Sequence, residues 1–208
     1  MEQLKKTNEN LEIVIADGGS LDNTLIIAEN SGAVICKSEC GRGLQLAAGA
    51  KLANGKVLIF LHADTLLSAN AFELIDEYFS RKNIKIATFR MKFDYDHPLL
   101  NLYSWFTRFD SIFTNFGDQV IVVLKSFYDE LGGFRKIKIF DDVDFLRKAR
   151  KKTKVYKLPA NVVTSARRFL NKGIIKTQIL NSYYILEYLL GTDEEKIYKK
   201  YFGENLND

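Results

Sequence analysis

Acidic residues occupy the positions in this sequence where chemistry is most readily placed. Asp17, Asp64 and the pair Asp141–Asp142 each lie at the end of a predicted strand or the start of a predicted helix, and Asp118 lies just before another predicted strand. Carboxylates gathered along one edge of a sheet repel one another, so such a group indicates a bound cation or a role in proton transfer. Each acid taken singly could instead do no more than cap a helix.

The apolar run at 57–61 (VLIFL) is the stretch around which the rest of the chain is organised. A run this short and this apolar predicts a strand that is buried on both faces, as in a parallel sheet. His62 and Asp64, which follow it, are both able to bind a metal. Ligands of open α/β sheets bind beyond the carboxyl ends of the strands, so this strand would carry a carboxylate to that place.

A nucleotide would suit the turn after the first predicted strand. Gly18 and its neighbouring glycine allow a tight turn and a close approach of backbone to ligand, and Ser20 can cap the helix that follows. Arg42 stands at the start of a later helix, where a guanidinium and free backbone N–H groups suit a diphosphate.

Apolar runs and turn residues predict where the strands and helices lie. After the end of a polar helix in residues 1–10, the first eighty residues are expected to contain strands at 11–16, 33–36 and 57–61 and helices at about 22–31, 41–55 and 69–81. This alternation predicts a doubly wound parallel sheet. The second half is less regular, with strands predicted at 84–93, 120–124, 155–158 and 162–163 and helices at 99–116, 127–131, 141–151, 172–190 and 193–202.

Composition limits the class of protein. The 208 residues, 47% apolar and 27% charged, predict one α/β domain with a helical appendage. A net charge of +4 suits an anionic ligand or an acidic membrane surface, but no Lys/Arg block is dense enough to indicate nucleic acid. Without a signal peptide or a membrane-spanning stretch, the sequence predicts a cytoplasmic protein with reduced cysteines, and leaves open a peripheral position on the inner face of the membrane.

Two stretches place apolar residues at helical spacing. In the first they are Leu102, Trp105, Phe106, Phe109 and Phe113. In the second they are Ile174, Ile175, Ile179, Tyr183, Leu186 and Leu190. For the first stretch, core packing, an interface and membrane contact all stay open. For the second, packing onto the domain or onto a second subunit is favoured over adsorption to a membrane.

Several runs of sequence resemble glycosyltransferase family 2. Residues 15–24 (IADGGSLDNT) resemble its V-D-D-G-S-x-D-x-T turn, and residues 41–65 resemble the helix and strand that lead to its metal-binding Asp-x-Asp. Residues 117–134 resemble its acceptor-side segment, and residues 140–150 (FDDVDFLRKAR) its Glu-Asp base motif. With residues 164–169 (TSARRF), the combination resembles a small bacterial branch of the family, the radical-SAM/selenodomain-associated transferase 2 group.

The resemblance implies a GT-A fold, a mixed α/β sheet flanked by helices. The fold would occupy residues 1–170, with a C-terminal helical extension at 171–208 packed on it. The implied activity is inverting transfer of a sugar from a nucleotide-diphosphate donor such as a UDP-sugar to a hydroxyl acceptor, with Mg²⁺ or Mn²⁺ as the metal. The partners would be the nucleotide sugar and an unknown acceptor, without nucleic acid.

The same resemblance implies roles for individual residues on the donor side. Asp17, together with Gly18 and Ser20, would hold the nucleotide. Asp64 matches the last acid of the metal motif and would bind the ion that bridges the diphosphate. The first acid of that motif is His62 here, which is either a metal ligand or a structural or ribose contact.

On the catalytic side, Asp142 matches the general base of the family, and Asp141 stands where the family usually has Glu. A positioned carboxylate of this kind accepts the proton of the attacking sugar hydroxyl. Asp118 and Gln119 would face the acceptor.

Arg42, Arg167 and Arg168 are the candidate cations for the charge that grows on the departing diphosphate. Arg167 and Arg168 follow a short predicted strand. Their alternative interpretation is a solvated basic pair.

The chain departs from the family pattern at its beginning. Family members usually start with a strand, a turn and a helix before the Asp17 strand, and here only ten mostly polar residues precede Leu11. We expect an unpaired edge on that strand, and with it weak nucleotide binding or self-association into a homo-oligomer. The alternative to an active transferase is therefore a weak or inactive nucleotide-sugar-binding remnant of the family.

Overall fold

The structure, a computed structural model, describes residues 11–115 and 117–203. The polar helix end predicted within residues 1–10 lies outside the described residues, as do the end of the predicted 99–116 helix and residues 204–208 of the predicted extension. The first half contains the three predicted strands and three predicted helices in the predicted order, and also a short strand at Thr65–Leu66 that was not predicted. In order they are β1 (Val14–Asp17), α1 (Thr24–Asn30), β2 (Val34–Lys37), α2 (Arg42–Leu52), β3 (Val57–Phe60), β4 (Thr65–Leu66) and α3 (Ala71–Asp76), which continues as a π-helical turn over Glu77–Arg81.

The second half contains both long and short elements. In order they are β5 (Ile86–Phe93), α4 (Pro98–Phe106), a 3₁₀ turn (Gly117–Gln119), β6 (Ile121–Leu124), α5 (Lys125–Glu130), α6 (Asp141–Arg150), β7 (Tyr156–Thr164), α7 (Arg167–Lys172), α8 (Ile174–Leu189) and α9 (Glu194–Phe202). The two short strands predicted at 155–158 and 162–163 are one strand. Its ladder with β5 skips Pro159 and its neighbour, because Leu158 pairs with Phe89 and Asn161 with Arg90. Proline lacks the N–H that a ladder needs, so the chain bulges there.

The strands form two sheets within the described residues. One has five strands in the order β3-β6-β5-β7-β4, and the other is the parallel pair β1-β2. In the larger sheet only β5 and β7 are parallel. The mixed sheet implied by the resemblance is confirmed. The doubly wound parallel sheet expected from the first eighty residues is wrong, because β3 pairs with antiparallel β6, whose apolar residues come much later in the chain.

The outer edge of β1 is partly covered by a side chain. The carbonyls of Ile13 and Asp17 accept bonds from the β2 side, at 2.9 Å each, so the carbonyl of Ala16 points to the other edge. There Gln45 of α2 donates its Nε2 to the Ala16 oxygen at 3.1 Å. A polar side chain that satisfies an edge carbonyl makes the edge a poorer template for another strand. Self-association through this edge stays a prediction.

The larger sheet separates two hydrophobic clusters. Leu58 and Phe60 of β3 belong to the cluster beneath α6, and Val57 and Ile59 pack against the cluster beneath α3. The apolar run 57–61 therefore lies between two cores, as its composition predicts. This burial fixes the direction in which β3 delivers the residues at its carboxyl end.

The aromatic helix is shorter than predicted. α4 ends at Phe106, and the fully buried Thr107 follows it. The Thr107 hydroxyl donates to the Ser104 carbonyl at 2.7 Å and accepts the Met91 N–H at 3.0 Å. These bonds tie the end of the helix to β5, and the chain continues in turns rather than as helix.

Within residues 165–203, three helices rather than the predicted two follow β7. Gly173, with φ of +85°, separates α7 from α8. α8 and α9 pack on the first turn of α6 through a small cluster of Val143, Tyr188 and Ile197. The helices α8 and α9 are therefore attached next to Asp141 and Asp142.

Both apolar stripes face outward. The five residues predicted from the first stripe are 43–56% exposed, while Leu100 of α4 is buried. Ile175, Ile179 and the later members of the second stripe are also exposed, so the chain's own domain does not cover them, and packing on a second subunit, the other part of the favoured prediction, stays a prediction. Within the described residues, no helix is long and apolar enough to cross a membrane.

Candidate active site

Three charged side chains from two distant helices meet at the centre of the site. Arg42, the first residue of α2, reaches Asp141 and Asp142, the first two residues of α6. One terminal nitrogen of Arg42 lies 2.6 Å from a carboxylate oxygen of Asp142. Its Nε lies 3.2 and 3.3 Å from the two oxygens of Asp141. The structure therefore brings the predicted diphosphate residue and the predicted base into one ion-paired group.

Two glycines allow α2 to come this close. Gly41 has φ of +147°, a conformation that residues with a side chain rarely adopt. A Cβ atom on Gly43 would lie 2.6 Å from the Ile137 carbonyl oxygen and 2.9 Å from the Cβ of Asp141. The start of α2 is thus packed directly against the segment that leads into α6, and this contact sets the reach of Arg42.

The backbone is strained where α6 begins. Phe140, at the N-cap, has φ of +63°, which a bulky residue adopts only when its surroundings impose it. Its ring stacks on Tyr188 of α8 at a centroid distance of 4.8 Å. The Val143 N–H then donates to Asp142 at 2.8 Å, which holds one carboxylate oxygen in place. The C-terminal helices therefore help to orient the predicted base.

The two carboxyl groups are both out of water. Asp141 is fully buried and Asp142 is 5% exposed. Burial raises the pKa of Asp141 to about 6, Arg42 opposes that rise, and Asp142 adds to it. Burial disfavours the charge on Arg42, but Asp142 and Asp141 outweigh it and raise the pKa of Arg42 above its ordinary value. The guanidinium is therefore permanently charged and neutralises only part of the acid pair.

The carboxyl end of β3 contributes to the same place. Burial lowers the pKa of His62, and Arg42 lowers it further, while Asp118, Asp142 and Asp64 act in the opposite sense. The imidazole is therefore neutral at pH 7 and within electrostatic reach of each of these groups. Asp64 and Asp118 are exposed. We call the following set the catalytic rim: Arg42, His62, Asp64, Asp118, Asp141 and Asp142.

Asp17 stabilises the turn that follows β1. Its carboxylate accepts the N–H of Gly19 at 2.9 Å and the N–H and hydroxyl of Ser20. The Ser20 hydroxyl and then the Gly19 N–H lower the pKa of Asp17. A Cβ on Gly18 would lie 3.0 Å from the Gln45 side chain, one turn along α2 from Arg42. The predicted nucleotide turn therefore touches the helix that carries Arg42.

Of the two predicted acceptor residues, only Asp118 is on the surface. Gln119 is fully buried. Its amide donates to the Thr114 carbonyl and accepts from the Lys157 ammonium, so it supports the 3₁₀ turn from within. Val120 beside it has φ of +56°, a strained conformation for a β-branched residue. Strain therefore occurs on both sides of the rim, before α6 and before β6.

The predicted cations of α7 lie farther out. Arg167 and Arg168 are both exposed, and the Arg168 guanidinium lies 4.2 Å from the centroid of the Tyr201 ring. Burial raises the pKa of Tyr201. Arg168 and Arg42 lower this pKa, and Asp118 raises it. Arg168 is therefore linked to the catalytic rim through a residue of α9.

Sequence reasoning missed Tyr103 and Tyr201 at the catalytic rim. Burial raises the pKa of Tyr103, and Asp118 and Asp142 raise it further. Tyr103 lies between positions of the apolar stripe on α4. Because the stripe residues face outward, a residue between them points inward, and this spacing is the signal that could have found Tyr103. Nothing in the local sequence marks Tyr201.

Comparison with known proteins gives the family. A family model described as Glycosyl transferase family 2 matches residues 1–152, a range that contains every residue of the catalytic rim. The chain belongs to this family. No curated protein sequence matches it.

Solved structures of glycosyltransferases resemble the chain in fold. S. aureus TarS (residues 1–349) has a TM-score of 0.64 at 16% identity, over 92% of this chain and 65% of that one. Its complex with UDP-GlcNAc has a TM-score of 0.63 at 15% identity, over 79% of this chain and 53% of that one. The mannosyltransferase PcManGT from Pyrobaculum calidifontis, in complex with GDP-Man and Mn²⁺, has a TM-score of 0.57 at 14% identity, over 79% of this chain and 50% of that one. The family 2 chain thus has the GT-A fold and spans half to two thirds of the length of these proteins.

The family resemblance implies a metal, and the rim fits one only in a limited way. Within residues 11–115 and 117–203, no three His, Cys, Asp or Glu side chains are placed to hold an ion. Mg²⁺ in phosphate sites is commonly held by one or two carboxylates, with substrate phosphates and water as the other ligands. The exposed carboxylate of Asp64 fits an ion that takes most of its ligands from a bound diphosphate.

Proposed function

We propose that this family 2 chain transfers a sugar from a nucleotide-diphosphate donor to a hydroxyl acceptor, with inversion at the anomeric carbon. The carboxylate of Asp142 carries the proposal. It is 5% exposed, one oxygen is held by the Val143 N–H at 2.8 Å, and it lies on the catalytic rim beside Arg42. A sugar hydroxyl is a poor nucleophile, so a fixed carboxylate at this place is suited to take its proton.

The reaction balances as a single displacement. The acceptor hydroxyl passes its proton to Asp142 while its oxygen forms the new bond to the anomeric carbon. The bond between that carbon and the diphosphate oxygen breaks, and its electron pair leaves with the nucleoside diphosphate. Attack from the side opposite the leaving group inverts the configuration. Asp118, exposed on the same rim, would hold the acceptor.

Arg42 couples donor binding to the base. Its planar fork, which here faces Asp141 and Asp142, also matches the oxygens of a diphosphate. A bound diphosphate would compete with Asp142 for this guanidinium, and a carboxylate freed from a cation takes up a proton more readily. Arg42 would then also offset the negative charge that grows on the leaving group.

The remaining donor contacts are assigned to the ends of β1 and β3. Asp17, Gly18 and Ser20 form the turn beside α2 and would receive the nucleoside, and neutral His62 is suited to hydrogen-bond a ribose. Asp64 would hold Mg²⁺ or Mn²⁺, which when bound neutralises the diphosphate as a Lewis acid. TarS in complex with UDP-GlcNAc, and PcManGT in complex with GDP-Man and Mn²⁺, share the fold of this chain, which supports donors of this class.

The test measures donor binding and turnover separately. Calorimetric titration with UDP-GlcNAc and GDP-mannose, with and without Mn²⁺, should show metal-dependent binding by the wild-type chain. Asp64→Ala should lose that dependence and keep its unfolding temperature, because an exposed carboxylate is outside the core. Asp129→Ala, an exposed acid on α5, is the matched control.

Two results would overturn these assignments. Unchanged Mn²⁺-dependent affinity in Asp64→Ala would remove the residue from the donor site. Donor binding without any release of nucleoside diphosphate, in the presence of sugar and lipid acceptors, would identify the chain as a nucleotide-sugar-binding protein rather than a transferase.

A further inference from the structure

A set of large apolar side chains outside the catalytic rim is open to solvent along α4 and α8. We call it the apolar band. On α4 and the turns after it, the members are Leu99, Leu102, Trp105, Phe106, Phe109 and Phe113. On α8 and just after it, they are Ile175, Ile179, Tyr183, Leu186 and Leu190. Each is 42–78% exposed, and a contiguous apolar surface of this kind marks an interaction site.

The two parts of the band meet where both helices begin. A groove of about 370 Å³ is lined by His97 and Leu99 at the start of α4 and by Gly173 to Lys176 at the start of α8. Leu99 and Ile175 therefore lie on the walls of one groove. The band continues from this groove along α4.

A basic cavity lies at the other end of α4. It has a volume of about 480 Å³, and four cations line it with a single acid. The cations are Lys82, Arg108, Lys154 and Lys157, the acid is Asp110, and the rings of Tyr78, Phe109 and Tyr156 complete the wall. Phe109 belongs to both the cavity and the band, so the two features are continuous.

The positive charge of the basic cavity is compensated only in part: Lys82 pairs with Glu77 at 2.6 Å, and Asp110 is the one acid among the residues that line the cavity. Asp110 already forms two-pronged bonds with Arg150 at 2.6–3.2 Å. Arg108 lies 4.8 Å from the Trp105 ring and donates to a backbone carbonyl. Burial lowers the pKa of Lys157 to about 7, so an anion in the cavity would restore its charge.

We propose that the apolar band and the basic cavity dock the chain on an anionic phospholipid bilayer. The apolar side chains would enter the boundary between headgroups and acyl chains, and a lipid phosphate would enter the cavity. α4 has no charged residue, and the single acid of α8, Glu187, is bonded to Lys200 at 2.7 Å. The helices α4 and α8 themselves therefore present no unpaired carboxylate to an anionic surface, and the exposed Asp96 just before α4 is bonded to Asn101 at 2.7 Å.

Charge favours a bilayer over a second copy of the chain. A symmetric dimer through the band would bring Arg108 and Lys176 of one copy towards the same residues of the other, and like charges at an interface are unfavourable. An anionic bilayer instead supplies the opposite charge to all of them. The docking does not depend on the proposed transfer reaction, because the outer side of α4 carries the band while Tyr103 on its inner side reaches the catalytic rim.

The unmodified chain contains its own probe. Trp105, 45% exposed, is the sole tryptophan of the sequence. Its fluorescence should shift to the blue, and be quenched by brominated acyl chains, with vesicles of phosphatidylcholine and phosphatidylglycerol. Vesicles of phosphatidylcholine alone should produce much weaker binding.

Paired variants separate the two parts of the surface. Leu102→Gln/Phe109→Gln should abolish flotation with the anionic vesicles, and Ile26→Gln/Ile27→Gln, an equally exposed pair on α1, should not. Arg108→Gln/Lys154→Gln should weaken vesicle binding on the order of thirtyfold, the effect of two surface charges, and Lys51→Gln/Lys56→Gln should change it little.

Three outcomes would overturn the proposal. The first is no binding of the wild-type chain to either vesicle. The second is equal binding to neutral and anionic vesicles, or equal losses in the variants and their controls. The third is a dimer in light scattering that Leu102→Gln/Phe109→Gln converts to monomer without any vesicle binding, which would assign the band to a second copy.

Discussion

The carboxylates of the site fall into two groups that are held in different ways. Asp141 and Asp142 are buried and paired with Arg42, whose partner Asp141 is 99 residues away in sequence. Asp17 is bonded within three residues of itself, and Asp64 is exposed. The first group is held by tertiary packing. In the second group, Asp17 is held by its own turn, and Asp64 is exposed to solvent.

This difference matches the work proposed for each group. A general base must already be in place when the hydroxyl arrives, since catalysis depends on a fixed geometry. Residues that bind a diphosphate through an ion can be ordered by the ligand itself. The contrast therefore predicts that changes around Asp142 affect turnover and stability, whereas a change at Asp64 affects donor affinity.

Replacement of the proposed base should have the largest effect. Asp142→Asn keeps the shape of the side chain but cannot accept the proton, so turnover should fall about 10²-fold or more, while donor affinity should be kept or rise, because a diphosphate no longer competes with the Asp142 carboxylate for Arg42. Release of nucleoside diphosphate measures the first and calorimetry the second. Normal turnover in Asp142→Asn together with an inactive Asp141→Asn would assign the base to Asp141 instead.

Removal of Arg42 should show how much its ion pairs with Asp141 and Asp142 contribute to the free energy of unfolding. Arg42→Ala leaves two buried carboxylates side by side, so the free energy of unfolding should fall by about 3 kcal/mol, the low end for a broken buried pair because Arg42 is 35% exposed. Urea unfolding measures it. The double variant Arg42→Ala/Asp141→Asn should recover part of the loss. An Arg42→Ala chain as stable as the wild type would mean that packing alone holds the acids.

A smaller change at Gly43 tests the contact between the helices. Gly43→Ala places a Cβ 2.6 Å from the Ile137 oxygen, so α2 must move away and stability should fall by about 1–3 kcal/mol. Gly49→Ala is the matched control in the same helix. Its Cβ would lie 3.5 Å from Ala16, an ordinary contact, so it should stabilise the chain by about 0.5–1 kcal/mol. Equal effects of the two substitutions would remove the close approach as the cause.

The buried acid pair should also make stability depend on pH. Asp141 has a pKa of about 6 when folded and an ordinary value of 3.8, so between these values the folded chain binds more protons than the unfolded one. Its contribution to stability should therefore decrease as the pH rises from about 4 to about 6, and then level off. Asp141→Asn should be stabilised relative to the wild type across that window. Parallel stability curves for the two proteins in urea would exclude a raised pKa.

The sequence determined the elements and the identity of most chemical groups. Apolar runs and glycine turns placed the strands and helices of the first half, because those signals act over neighbouring residues. The same local signals placed Asp17, Asp64 and Asp142 at the ends of such elements. The family resemblance supplied the mixed sheet that the local alternation of strands and helices did not predict.

Tertiary structure decided which elements meet and which surfaces are covered. The spacing of Trp105 and Phe109 is the same for a buried and an exposed helical stripe, so only the packing of Leu100 and Tyr103 inward shows which side faces solvent. Gln119 is adjacent to an exposed acid in sequence but is buried by contacts with Thr114 and Lys157. Arg42 meets Asp141 because Gly43 has no side chain against Ile137. Contacts of this kind join residues far apart in sequence, and local pattern carries no information about them.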